Sequence, residues 1–155
     1  MDLKEIAAGL SDKFGIEDLT VEDGEVALEI DGMPILLAED RGSALVVTGF
    51  VGDPPAEGGE AFANLLLEGT TGLMDSKSAA FARNPETGAY MLVQRVVQDG
   101  LSFDAFDETL GDFVNLLETW RTMLENFRPA AVAAKESVAV QPNEKDLAIG
   151  GFMKV

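Results

Sequence analysis

The sequence predicts an α+β fold, an antiparallel five-stranded sheet with three helices in the order α-βββ-α-ββ-α, and three observations carry that prediction. Apolar residues recur at spacings of three and four from Leu3 to Phe14 and again from Phe103 to Phe127, the period of amphipathic helices. Between them lie short runs that alternate or stay apolar for fewer than ten residues, the lengths of strands. Asp-Gly pairs, a Pro-Pro and an Asn-Pro-Glu-Thr-Gly separate these runs, and such residues make turns.

In chain order, Leu3, Ile6, Ala7, Leu10 and Phe14 line one face of a helix that Gly15 ends. Asp23-Gly24 and Asp31-Gly32 bracket a strand from Glu25 to Ile30, in which Val26, Leu28 and Ile30 alternate with Glu25, Ala27 and Glu29. A second strand covers Met33 to Ala38. A third, Ala44 to Val51, stops before Asp53-Pro54-Pro55 and completes a meander. A helix begins near Glu60, with Phe62, Leu65 and Leu66 on its apolar face and Leu67 broadening it, and Gly69-Thr70-Thr71-Gly72 is expected to end it. Strands at about Ser78 to Arg83 and Ala89 to Val97 flank the turn Asn84-Pro85-Glu86-Thr87-Gly88. Phe103, Phe106, Leu110, Phe113, Leu117, Trp120, Leu124 and Phe127 then form one stripe, read as a helix packed lengthwise on the sheet rather than a coiled coil. Asp104, Asp107 and Glu108 near its start and Arg121 and Arg128 toward its end suit the helix dipole.

These elements make a single domain over residues 1–130, a length sufficient for a real core. Residues 131–155 read as a flexible C-terminal tail with a short apolar end.

Composition narrows the function. The chain has no histidine and no cysteine, so the commonest general bases, nucleophiles and transition-metal ligands are missing. Asp and Glu number 28 against 11 Lys and Arg, a formal charge of -17 that disfavours phosphate and nucleic acid as ligands. All of that charge lies before Ala131, because Lys135, Lys145 and Lys154 balance Glu136, Glu144 and Asp146. No basic and apolar leader opens the chain, and its longest apolar runs fall far short of a membrane span, so a cytoplasmic protein without membrane insertion is expected.

The remaining motifs carry little chemistry. Asp104 and Asp107 could be drawn as a paired acid and base, but acids early in a helix are expected for capping. Asp18 to Asp31 has its glycine one position late for a calcium loop and lacks the closing glutamate, so it reads as two turns. Gly52 and Gly58-Gly59 lack the Lys and Ser or Thr of a phosphate loop. We therefore expect no enzyme, no cofactor and no metal.

The informative anomaly is in the sheet. A strand with one wet face should alternate, yet Met33 to Ala38 and Ala44 to Val51 are apolar at nearly every position. Either the chain's own helices cover both faces, or one apolar face is left for another subunit or a partner protein.

The order of elements, the meander with Gly32 between its first two strands, the break Gly52-Asp53-Pro54-Pro55, the leucine-rich Ala63-Asn64-Leu65-Leu66-Leu67, the Asn84–Gly88 hairpin and Phe113 to Trp120 in the last helix together resemble the class I type III secretion chaperones, the family of the Tir chaperone. The resemblance covers about Met1 to Phe127. It implies a homodimeric, non-enzymatic cytoplasmic chaperone that holds the N-terminal segment of a secreted effector extended, partly by strand addition. It further implies that the second helix, here Phe62, Leu65, Leu66 and Leu67, contributes to the dimer interface. Leu3, Ile6, Leu10 and Phe14, with Ile35, Leu37, Leu45 and Val47, become core or patch residues near the effector path. Two other readings fit the same composition: a YbjN-like regulatory module of this architecture, and an acidic inhibitor or DNA mimic that binds a basic partner through charge.

Overall fold

The computed structural model describes residues 1–129 apart from Asp18 and Gly42. The expected tail, residues 131–155, lies outside them. Three helices and five strands follow in the predicted order: α1 (Leu3–Phe14), β1 (Glu25–Ile30), β2 (Met33–Asp40), β3 (Ala44–Gly52), α2 (Gly59–Lys77), β4 (Ala79–Arg83), β5 (Tyr90–Val97) and α3 (Phe103–Glu125). The strands form one antiparallel sheet in the order β1-β2-β3-β5-β4.

Local chemistry sets the boundaries. Asp2 and Glu5 form a reciprocal capping box at the start of α1, and Gly15 ends the helix with a φ of 66°. Asp31 and Gly32 take φ values of 51° and 78°, the two positive angles of a type I′ turn, whose twist matches the flanking strands. Asp23 and Gly24, at 51° and 79°, make a second such turn. Ser102 caps α3 by accepting the Ala105 N–H.

All three helices pack on one face of the sheet. Leu3, Ile6 and Leu10 of α1 meet Val26, Leu28, Ile35 and Leu37, while Phe106, Leu110, Phe113 and Leu117 of α3 complete the same core over β3 and β5. Gly49 allows that approach, since a Cβ there would lie 2.5 Å from Leu117 Cδ2. The apolar stripe of α3 is thus a helix laid on the sheet, as its spacing predicts.

Two expectations need correction. α2 does not stop at Gly69-Thr70-Thr71-Gly72 but runs on to Lys77, where Ser78 closes it in the left-handed conformation. Tertiary contacts outweigh the poor helix propensity there: a Cβ on Gly69 would meet the Trp120 ring at 2.9 Å, and the Thr70 hydroxyl accepts the Phe81 N–H at 3.0 Å. Arg121 does not serve the end of α3. It lies a turn before the last residues, and its guanidinium donates instead to the Phe50 carbonyl of β3 at 2.7 Å. Arg128 does reach the terminal carbonyls, donating to Glu125 at 3.2 Å and Phe127 at 2.8 Å.

Candidate functional site

The face of the sheet opposite the helices is the chain's distinctive surface. Side chains alternate across a strand, so burying Val26, Leu28, Ile35, Leu37, Leu45, Val47 and Leu92 on one side sends their neighbours to the other. Cross-strand register lines those neighbours into rows: Ala27, Leu36, Thr48, Val93 and Ala80 in one, with Phe50 beside Met91 and Ala38 beside Val46 flanking it. Leu36, Val46, Phe50, Met91 and Val93 are only half-buried, and among the described residues no helix packs against this face, although the Arg121 guanidinium of α3 reaches to 5.9 Å from the centre of the Phe50 ring. A shallow apolar groove along Ala27, Pro34, Leu36, Thr48, Phe50 and Met91 runs across this face. Soluble proteins seldom leave such continuous apolar surface without a use.

One end of the face is closed by charge. Arg95 on β5 reaches across β3 to pair with Asp40 on β2, and Val97 stands exposed beside it. The hydrogen bond from Arg95, with a second from the Arg41 backbone, holds the Asp40 carboxyl below its ordinary value, although the pair is too open to solvent to contribute much stability.

The two edges differ. On β4, the outward Phe81 N–H is taken by Thr70, and α2 lies alongside. On β1, Glu22 and Glu25 exchange both backbone hydrogen bonds at 2.9 Å, after which the preceding segment parts from the strand. The Glu39 N–H donates to the Gly24 carbonyl, so the hydrogen-bonding pairs toward β2 are those of Val26, Leu28 and Ile30. The backbone groups of Ala27 and Glu29 therefore face outward on an open edge.

The residues expected near an effector path divide sharply. Leu3, Ile6, Leu10, Ile35, Leu37, Leu45 and Val47 are all at most 2% exposed, and each lies in the core between the helices and the inner face. Of the two roles left open for them, core or patch, they occupy the first. Phe14 alone is accessible, at 44%. It lines a small cleft between α1 and α3 with Lys13, Ile30, Asp107 and Val114. The sequence does not single out the outer-face residues, because the apolar runs of β2 and β3 do not reveal which parity faces the helices.

The α2 residues divide too. Phe62 and Leu66 are buried, with the Phe62 ring among Tyr90, Trp120 and Phe127 at centroid distances of 5.8, 6.2 and 5.1 Å. Leu65 is half-buried, while Leu67 is 66% exposed on the outer surface. Met74, in the part of α2 that the sequence reading missed, is 63% exposed. An apolar groove beside them is lined by Ala63, Leu67, Phe81, Ala82 and Tyr90.

The motifs set aside on sequence grounds have structural places. Asp107 pairs with Lys13, tying α3 to α1, and Asp23-Gly24 and Asp31-Gly32 form the two turns. Among the described residues no group of three or more acidic, His or Cys side chains is placed to hold a metal, and no helix is long and apolar enough to cross a membrane.

Comparison with known proteins agrees with this architecture. The model of the Tir chaperone protein (CesT) family matches residues 5–121. No curated protein sequence matches the chain. A chain of the ExsC–ExsE complex superposes with a TM-score of 0.67 at 20% identity, covering 80% of this chain and 97% of that one. One from the HopA1–SchA chaperone–effector complex gives 0.62 at 16% identity, covering 77% and 92%. One from the Yersinia pestis type III secretion chaperone SycH, solved with a fragment of YscM2, gives 0.54 at 15% identity, covering 75% and 97%. At these identities the likeness establishes the fold.

Proposed function

Because this chain belongs to the Tir chaperone protein family, we propose that it is a cytoplasmic type III secretion chaperone, which binds the N-terminal region of a secreted effector in extended form and keeps it soluble and competent for export. The observation that carries this reading is the uncovered apolar face of the sheet around Leu36, Phe50 and Met91, bordered by the open edge of β1. An extended segment can add backbone hydrogen bonds at such an edge while alternate side chains enter the groove, a mode that tolerates varied sequences. The similar structures solved as chaperone–effector complexes support it. The activity is binding, with no reaction of its own and no cofactor, carried by one domain over residues 1–130.

The working unit in this reading is a homodimer. Leu67 and Met74 on the outer surface of α2 enter the groove between α2 and β4 of a second copy, while Phe62 and Leu66 hold the helix in place from within. Phe14 remains as the accessible contact of the first helix.

Coexpression with the N-terminal segment of some tens of residues from a type III secreted protein of the same organism tests the reading. A stable soluble complex is expected, and Phe50→Asp with Met91→Asp should abolish it while circular dichroism and thermal unfolding stay near those of the unaltered chain. A complex that survives both substitutions would move the effector away from this face.

A further inference from the structure

The open edge of β1 carries chemistry beyond apolar surface. From Phe14 to Asp40 the chain places nine acids and no Lys or Arg: Glu17, Asp18, Glu22, Asp23, Glu25, Glu29, Asp31, Glu39 and Asp40. Asp40 has its Arg95 partner, but among the described residues no ion pair engages Glu22, Asp23, Glu25, Glu29 or Asp31. These five lie on β1 or on the turns at its two ends.

Where the segment before β1 parts from the strand, it leaves an open cleft of about 510 Å³. Leu19, Ala27 and Leu36 supply its apolar part, and Glu22, Asp23 and Glu25 its charged rim. Ala27 and Leu36 also belong to the apolar groove on the open face, so the two form one continuous path. Along the exposed row of β1 the order is Glu25, Ala27, Glu29, which is acid, small apolar, acid.

A strand laid beside Ala27 and Glu29 would present a side chain to the same face opposite each of them. Opposite Ala27 there is room for an apolar group over Leu36. Opposite Glu29, and at the rim formed by Glu22 and Glu25, an acid would meet like charge and a neutral residue would leave the carboxylates without a countercharge. We propose that the guest of this edge is an extended segment that carries an apolar residue and, two positions along on the same face, a Lys or Arg, and that Glu29 selects for the Lys or Arg. This rests on the reading of the open face and β1 edge as the effector-binding surface, and adds the charge class of the segment.

Amide chemical shifts of the isotopically labelled full chain, followed during titration with short peptides, test it. One peptide places valine and lysine in turn at every second position with threonine between them, so that both stand on one face, and its match has glutamine in place of lysine. The lysine peptide is expected to shift the Ala27, Glu29 and Leu36 amides and to bind about fivefold or more tightly than the glutamine peptide, the upper range for one favourable cross-strand charge pair. Glu29→Gln, a change at an exposed position, should narrow that preference, and raising salt from about 50 to about 500 mM should weaken only the lysine peptide.

If the glutamine peptide binds as well as the lysine peptide, or if Glu29→Gln leaves the preference unchanged, the charge inference falls and the open-face reading stands. If neither peptide shifts these amides, the reading of the β1 edge as the docking surface falls with it. Shifts of the Ala27 and Glu29 amides on concentrating the chain alone would identify a second copy as the occupant and overturn the proposal.

Discussion

Leu66 and Leu67 are adjacent in the chain and opposite in the fold, and that decides which substitution tests the dimer. A helix turns about 100° per residue, so Leu66 points into the aromatic cluster around Phe62 while Leu67 points away. Leu66→Asp places a carboxylate in the core and is expected to destabilise the monomer by roughly 4 kcal/mol or more, which makes it a poor probe of association. Leu67→Asp should leave the circular dichroism spectrum of the fold unchanged and shift the sedimentation coefficient from dimer toward monomer. Retention of the dimer mass would remove this face of α2 from the interface. The sequence shows three consecutive leucines at 65–67 and nothing in that run distinguishes inside from outside. The same limit applies in β2 and β3, where inner Leu37 and outer Leu36 are equally apolar. In β1, by contrast, glutamates on one face and Val26 and Leu28 on the other make the orientation readable, and the structure agrees.

At the scale of elements, legibility followed how much each segment depends on its own residues. α1 carries its stop signal, Gly15, and its capping acids, and α3 carries an unbroken stripe, so both were readable with the helix end of α3 two residues short of Phe127. The helical course of α2 beyond Glu68 is not legible in its own residues, because what holds Gly69 to Lys77 helical is Trp120, some fifty residues away, together with the edge of β4. Two glycines separate close packing from helix propensity. Gly49→Ala inserts a methyl 2.5 Å from Leu117 Cδ2 and 3.0 Å from Phe113 Cε1, both buried, and should destabilise the fold by about 1–3 kcal/mol through overpacking. Gly72→Ala on α2 meets nothing within 4 Å and should stabilise it by about 0.5–1 kcal/mol. Urea unfolding of the two variants is expected to move the midpoint in opposite directions. A neutral or stabilising Gly49→Ala would show that α3 has slack over β3.

At the scale of the molecule, a charge of -17 acts on two associations with opposite sign. Two copies meeting through Leu67 and Met74 bring like fields together around an apolar contact, so charge opposes the dimer while burial drives it. Salt screens the first term over a Debye length of about 10 Å at 0.1 M and leaves the second intact. The dimer dissociation constant should therefore fall as sodium chloride rises from about 50 to about 500 mM, as read by sedimentation equilibrium. A basic guest on the β1 edge should respond the other way, because there the acids attract. An acidic inhibitor or DNA mimic held to its partner by charge alone would lose nearly all affinity over the same range, whereas a guest anchored over Leu36, Phe50 and Met91 keeps its apolar share. Measured on one preparation, a dimer that tightens with salt beside a guest that weakens only in part would assign the acids to repulsion between copies and selection of the guest, and the uncovered face to its retention. A dimer that loosens with salt would mean that ion pairs, and not the outer surface of α2, hold the two copies together.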